Sequence, residues 1–540
     1  MASKEARERK LKEIQEIAEG WGKMISQEAF PNGPGLDVTL AEMEEYAVAA
    51  SRALVKGAVE SMTATQGEQF GEEAPCPTCG RVCPVKRKSR PVAVRGGDAT
   101  LDEPVGHCPT CRRDFFPQRP VLKLDGHGYS ATILHRILHI ASVTSAFEVA
   151  ETALKVVGEI SISARQINNL VNEVGQELAA DRDARTAQYV NEPLPRQPTS
   201  VEMPPDLAAI FFDGGRMRTR APNQGRGVHQ PHWRETKNAG FHRMKSESSS
   251  QDPQPELPNC FRNEAYVEKL VKGLKSLKKE GREEEVDAEQ PSPTSMASEE
   301  TSPPEAVSWQ PETLFHTCVS SLASSEEFGP MMAAEADARG FFTATKKAFV
   351  GDGQGYNWTI QQRWFPDFVP IADFVHAVEY VYTAAKTVYA DAPTRWRQYL
   401  EWATACWQGD VAKVIADLGV WQARIGILPE GEKLPESDPR KIIHSVTTYL
   451  SNNCGRMDYP RYRRQGLPVT SSLAESLVKQ ISKRVKGTEK FWNDGPSGEA
   501  ILQLRAAVIS DGDRLQHWIT NRPISPFSPR CRLTVLANSA

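Results

Sequence analysis

The sequence predicts an α/β protein assembled from several parts, and three observations predict it. Two apolar runs close on Asp-Gly pairs: Ala208-Ala209-Ile210-Phe211-Phe212 before Asp213-Gly214-Gly215, and Lys347-Ala348-Phe349-Val350-Gly351 before Asp352-Gly353. A short apolar run stopped in this way reads as a buried strand ending at a loop. Other stretches carry apolar residues at helical spacing, and two Cys-x-x-Cys pairs stand upstream. At 540 residues the chain has room for two to four domains and a substantial core.

Residues 1–64 read as an N-terminal helical region, with Leu11, Ile14, Ile17, Ala18 and Trp21 at helical spacing among charged neighbours. Its use, in dimerisation or DNA contact, is left open by the sequence. Residues 65–125 read as a zinc ribbon. Cys76-Pro77-Thr78-Cys79 and Cys108-Pro109-Thr110-Cys111 are matching knuckles separated by 28 residues. Four thiolates at such spacing suit tetrahedral Zn²⁺ in a closed, structural site. Cys83 and His107 are alternative ligands. Between the knuckles lies a basic run, Lys86-Arg87-Lys88-Ser89-Arg90, which suits DNA or a solvated loop equally.

Residues 126–190 read as helical and helix-turn-helix-like. Ala131, Leu134, Ile137 and Leu138 start one helix, Phe147 to Leu154 another, and Ser163 caps a third near 163–176. The first turn of that third helix presents Arg165, Gln166 and Asn169, side chains suited to phosphates and base edges. A plain helical packing unit fits the pattern as well.

Residues 205–375 carry the strands, interrupted by a segment at about 244–308 rich in Ser, Glu, Pro and Lys. That composition predicts a disordered insert outside any core, above all from Glu283 to Pro304, although Asn263–Lys279 has helical spacing. Residues 376–455 are strongly helical, with Trp396, Tyr399, Leu400, Trp402, Trp407, Val414, Leu418 and Trp421 as core rather than base-stacking platforms. Residues 456–515 hold a further helix opening near Glu475, and 516–540 form a tail. Along that helix Leu473, Leu477, Ile481 and Val485 make an apolar face. Glu475, Lys479, Ser482 and Lys486 fall on the other side.

Asp213, Asp352 and Glu475 are candidate ligands for two Mg²⁺ (or Mn²⁺) ions, which would activate a water or a 3′-hydroxyl and stabilise a leaving oxygen. Strand-end Asp-Gly pairs are also ordinary turns. The local setting bears on the choice. Between Pro460 and Lys486 stand seven basic residues (Arg461, Arg463, Arg464, Lys479, Lys483, Arg484, Lys486) and one acid, Glu475, although the whole chain carries −4. Such a segment attracts phosphates with an affinity that falls as salt rises.

The segments around these acids resemble a family. Phe211-Phe212-Asp213-Gly214, Val350-Gly351-Asp352-Gly353 with Trp358, Trp364-Phe365-Pro366 and Ala372-Asp373-Phe374-Val375-His376 through Tyr380 carry the resemblance. So do Tyr449-Leu450-Ser451-Asn452-Asn453, Arg456-Met457-Asp458-Tyr459 and Gly466-Leu467-Pro468 through Glu475-Ser476, Lys486-Gly487 and Phe491-Trp492. Together, over most of 205–510, they look like the DDE transposases of bacterial insertion sequences, closest to the Kra group, distant kin of the Mutator-like transposases. The resemblance implies a ribonuclease-H-like core with an all-helical insertion, and Asp213, Asp352 and Glu475 as the metal-binding triad. Asp373 and His376 match a further family motif near the site. Thr470-Ser471-Ser472-Leu473-Ala474 stands where the family has a Gly-Ser-Gly-like turn, and Thr488-Glu489 where it carries a second glycine.

The expectation is therefore a Mg²⁺-dependent transposase that cuts and joins double-stranded DNA, acting on its element ends and a target. Arg165, Gln166, Asn169, Arg461, Arg463, Lys479, Lys483 and Lys486 would contact the DNA. A homodimer on DNA is implied by the family. The alternatives are an inactive, transposase-derived DNA-binding protein and a hydrolytic nuclease of the same fold. No apolar stretch approaches the roughly 20 residues that cross a bilayer. The first residues read as a charged helix rather than a signal peptide, so a cytoplasmic, nucleoid-associated protein is expected.

Overall fold

The computed structural model describes residues 4–199, 201, 204–220, 232–279, 310–428, 434–470, 472–486, 491–492 and 495–527. The chain divides into two compact units, one of Met1–His139 with Leu515–Ala540 and one of Ile140–Arg514. The helices expected beside a DNA-reading turn, Phe147–Val156 and Ala164–Asn191, thus belong with the second unit.

The first unit opens with two long helices, Lys4–Ala29 and Leu40–Glu68. The second starts at a capping box in which Thr39 accepts from the Glu42 N–H and Glu42 reaches back to Thr39. A four-stranded antiparallel meander follows: β1 (Glu73–Pro75), β2 (Val82–Val94), β3 (Gly97–Cys108) and β4 (Arg113–Phe115). The basic run 86–90 lies within β2, in strand rather than loop. Val92, Ala99, Leu101 and Leu124 make one small core, and Ala74, Cys83 and Phe115 with two of the knuckle cysteines make another.

The second unit is built on a five-stranded mixed sheet: β5 (Leu207–Thr219), β6 (His232–Lys245), β7 (Glu312–Ser321), β8 (Lys346–Gly351) and β9 (Val369–Ala372). Its spatial order is β7-β6-β5-β8-β9. The first three strands run antiparallel to their neighbours, and β8 and β9 join parallel to β5. Side chains alternate between the two faces. On one face Phe212 stacks on Phe328 of helix Ser325–Ala338 and meets Tyr356 of helix Gly355–Trp364. On the other, a Cβ at Gly240 or Gly215 would lie 3.4 Å from Leu477 and 3.5 Å from Val478, so helix Ser472–Val485 covers that face.

Helix Ala164–Asn191 packs along Pro496–Ile509 so closely that a Cβ at Gly175 would stand 2.4 Å from the Ala500 carbonyl oxygen. Ile167, Leu170, Val171 and Val174 of the same helix are buried. The middle of this helix is therefore a wall of the core.

Among the described residues, the stretch from Phe374 to Arg464 is built of helices, Phe374–Val388, Ala392–Trp407, Val411–Ile425, Pro439–Asn453 and Tyr459–Arg464, with a short 3₁₀ turn at Cys454–Arg456 before the last. Asp373, Asp391, Asp438 and Asp458 each accept a first-turn N–H, and proline occupies the first turn of three of these helices. Tyr399, Trp402, Trp407, Val414 and Leu418 are buried, as core aromatics and aliphatics should be.

One expectation is corrected. The segment from 244 onward is not wholly outside the core: Leu257, Phe261, Val267, Val271 and Leu274 are buried, the last three on helix Glu264–Lys279. Asp252 pairs with Arg463, Trp407 donates to the Gln254 carbonyl, and Tyr399 donates to that of Phe261. The average composition concealed a few apolar anchors, which is all a segment laid over a helical surface needs. The stretch expected to be disordered, Glu283–Pro304, lies outside the described residues.

Candidate functional site

Two groupings stand out, one in each unit. In the first unit, Cys76 and Cys79 occupy the turn between β1 and β2, while Cys108 ends β3 and Cys111 stands in the turn before β4. Their four sulfurs all lie within 4.8 Å of one another. Cys76 and Cys111 sulfurs are 3.9 Å apart, and those of Cys79 and Cys108 3.5 Å. Tetrahedral ligands at a Zn–S bond of ~2.3 Å stand about 3.8 Å from each other, so the set could hold a structural zinc.

The Cys111 N–H lies 3.4 Å from the Cys108 sulfur and, more than any other group, draws that thiol down to about 6. The Cys111 thiol is pushed up to about 12, first by its bond to Cys79, as expected where four sulfurs share too few protons. The alternates fall away. Cys83 turns its buried thiol to the Arg81 carbonyl, and His107 pairs with Asp114 at 2.7 Å.

In the second unit, Phe212 of β5 pairs with Gly351 of β8, and Gly351 in turn pairs with Ala372 of β9. Asp213, Asp352 and Asp373 are each the next residue, so three aspartates stand at one level across three neighbouring strands. Asp352 follows its strand, as the apolar run suggested, and Asp373 follows β9. Asp213 does not: β5 continues to Thr219, paired only with β6. The ladder to β8 ends at Phe212, and with it the fully buried half of the strand. The apolar run thus recorded two-sided pairing rather than strand length.

Asp352 is held firmly. One carboxylate oxygen accepts from the Gln354 N–H at 3.0 Å and from Asn357 Nδ2 at 2.6 Å, the other from Gln354 Nε2 at 2.9 Å. Gly353 turns the chain at φ +93°, where a Cβ would strike the Tyr449 ring at 2.5 Å. Trp358 donates to Asn453, and Asn453 donates to the Gly353 carbonyl. The Trp358 and Tyr449–Asn453 segments therefore brace the Asp352 turn from behind. A cleft of about 230 Å³ opens beside it, lined in part by His376, Tyr380, Tyr449 and Asn452.

Asp213 accepts from the Gly214 N–H at 2.7 Å. By strand alternation its side chain shares a face with Phe211 and Gly215, the face covered by helix Ser472–Val485. Glu475 is on the first turns of that helix, and its side chain lies outside the described residues, as do Ser471 and Thr488-Glu489. The apolar face of this helix is buried at Leu477, Ile481 and Val485, and Lys479 and Lys483 are exposed.

Asp373 is fully buried and caps its helix through the Val375 N–H at 3.0 Å. His376 lies 3.4 Å from Glu379 and 3.9 Å from Asp373. Three neighbours escaped the sequence reading. Glu235 and Lys237 of β6 pair at 2.9 Å, and Tyr356 donates to Glu235 at 3.4 Å. Burial raises the Tyr356 phenol above its ordinary value, and Asp352, Glu235 and Asp213 raise it further, which marks all three carboxylates as near neighbours of one ring. Glu235 sits 22 positions from Asp213 in the sequence, and only the β5–β6 hairpin brings it back.

Two basic residues counted toward DNA are corrected. The Arg463 side chain is fully buried, bonded to Asp252 and the Trp407 carbonyl and stacked 4.1 Å over the Trp407 ring. Arg484 is 2% exposed, donates to the Ala141 carbonyl and lies over Phe147 and Trp492. Both guanidiniums are consumed by packing. Arg461 remains half-exposed beside Asp458, and Arg165 and Asn169 are exposed on the first turns of their helix, with Gln166 partly so.

No known family model matches the chain, and no curated protein matches it significantly.

Proposed function

We propose that this chain is a DDE-type transposase that cleaves double-stranded DNA with two Mg²⁺ ions and joins the freed 3′-hydroxyl to a target. The observation that carries the reading is the pairing of Phe212 with Gly351, which makes Asp213 and Asp352 neighbours at the end of one parallel ladder. Further support comes from helix Ser472–Val485, which bears Glu475 and covers the sheet face shared by Asp213. The mixed sheet, three antiparallel strands continued by two parallel ones with helices on both faces, is compatible with the α/β core that the resemblance implies. The helical stretch from Phe374 to Arg464, between the second Asp and the Glu, matches the insertion that the resemblance implies.

The donor atoms suit the metal. Carboxylate oxygens are hard ligands of the kind Mg²⁺ prefers. When bound, two such ions stabilise the attacking and leaving oxygens of an in-line displacement at phosphorus. The chain's own residues do the rest. Gln354 and Asn357 fix both oxygens of Asp352 before any substrate arrives. Lys479 and Lys483, exposed on the helix that bears Glu475, would draw the DNA backbone in. Zinc at the four cysteines would hold the small sheet together and take no part in the chemistry, because four protein ligands leave no open position.

The test uses duplexes selected by the full-length chain from a random pool. Asp213→Asn and Asp352→Asn should keep duplex affinity and lose Mg²⁺-dependent cleavage by about a thousandfold, since each carboxylate supports several kcal/mol of charge stabilisation. Cleavage surviving in both variants would overturn the mechanism. Cleavage without strand-transfer products would favour a hydrolytic nuclease.

A further inference from the structure

Beyond Phe212, β5 leaves β8 and runs on to Thr219 paired with β6. One face of this two-stranded ribbon lies under helix Ser472–Val485. The other carries Gly214, Arg216 and Arg218 of β5, directly opposite Lys237, Glu235 and Trp233 of β6. A Cβ at Gly214 would lie 3.1 Å from the Glu235 carboxylate and 3.8 Å from the Tyr356 hydroxyl, so this second face looks toward helix Gly355–Trp364, which starts just after Asp352.

The cations on that face keep step. Lys237 is level with Gly214, the residue after Asp213, and Arg216 and Arg218 follow at alternate positions. Alternate residues of a strand are about 6.6 Å apart, close to the distance between successive phosphates along a nucleic-acid strand. Aromatic rings back both ends of the row. Lys237 lies 4.9 Å from the centre of the Tyr356 ring, and Arg218 lies 4.3 Å from that of Phe491 and 5.5 Å from that of Trp233. The three cations share the face with one acid, Glu235, which bonds to Lys237 and Tyr356. Arg216, across from Glu235, is partly exposed and has no ion pair among the described residues.

We infer that Lys237, Arg216 and Arg218 grip successive phosphates of one DNA strand as it leaves the site of cleavage. The inference takes its ligand from the function proposed above.

The experiment measures the affinity of the full-length chain for its selected duplex against salt concentration. Phosphate-ethylation interference on the same duplex locates the contacts, and Mg²⁺-dependent cleavage is read separately. Arg216→Gln should lower the slope of log affinity against log salt by about one, and the double Arg216→Gln, Arg218→Gln chain by about two. Lysine at both positions should restore the slope, and Arg216→Gln should leave the melting temperature unchanged. Ethylation at three successive phosphates of one strand should weaken wild-type binding, and two of them should cease to matter in the double variant. Unchanged slopes in both glutamine variants, or an unchanged interference pattern, overturn the inference even where the wild type cleaves. A wild type that binds with the expected pattern and does not cleave overturns the proposed chemistry and upholds the ribbon contact. A wild type without duplex affinity overturns both.

Discussion

Arg461 and Arg463 stand two residues apart in one basic run and have opposite fates. The first points outward beside Asp458. The second is fully buried and bonded to the partly buried Asp252, so removing it would leave that carboxylate without its partner. Arg463→Met should destabilise the chain by about 1–3 kcal/mol, read as a lowered denaturation midpoint, whereas Arg461→Ala should leave the midpoint unchanged. Equal midpoints would show that the Asp252 pair contributes nothing. Nothing in the local sequence separates these arginines, because the partner lies 211 residues upstream. Asp213 and Asp352 were legible for the opposite reason: each ends an apolar run whose length records local burial. Glu235 has no such signature and was missed.

At the scale of elements, the cysteine knuckles were readable, since four thiolates in two matching pairs at this spacing suit one tetrahedral metal site. Cys108→Ser should abolish binding of one zinc per chain and loosen the meander β1–β4, seen as faster amide exchange confined to residues 73–115. Unchanged zinc content would remove the ribbon reading. The helix Ala164–Asn191 shows the limits of pattern. Its Ser163 cap was visible, and the structure bears it out through the Gln166 N–H. Its burial against Pro496–Ile509 was not, because a glycine at 175 looks like a weak helix position until Ala500 is found against it. Gly175→Ala should cost about 1–3 kcal/mol by forcing those backbones apart, although alanine alone favours a helix. A stabilised variant would contradict that contact.

On the scale of the whole molecule, one carboxylate ties distant parts of the second unit together. Glu335, on helix Ser325–Ala338, is 2% exposed and bonded to Arg514, Arg339 and Arg185. Burial alone would push its carboxyl up, and the three guanidiniums overcome this and hold it at about 2. A group depressed from its ordinary 4.5 stabilises the fold fully above that value and loses its contribution as pH falls from 4.5 toward 2. Glu335→Gln should therefore lower the melting temperature at pH 7 and reduce its fall between pH 4.5 and 2. An unchanged acid limb would assign acid denaturation to other carboxylates.

The sequence by itself determined the local pieces: the α/β character, the cysteine quartet, the Asp-Gly strand marks, the capped helices and the aromatic helical stretch. Each is written in spacing or in a cap, within a few residues of itself. Tertiary structure alone decided which arginines are buried, that residues 252–274 join the core, and that Glu235, Lys237 and Tyr356 gather beside the two aspartates. It also decided the sheet order. These depend on pairing between segments tens to hundreds of residues apart, where a side chain's partner, not its own type, sets whether it meets water.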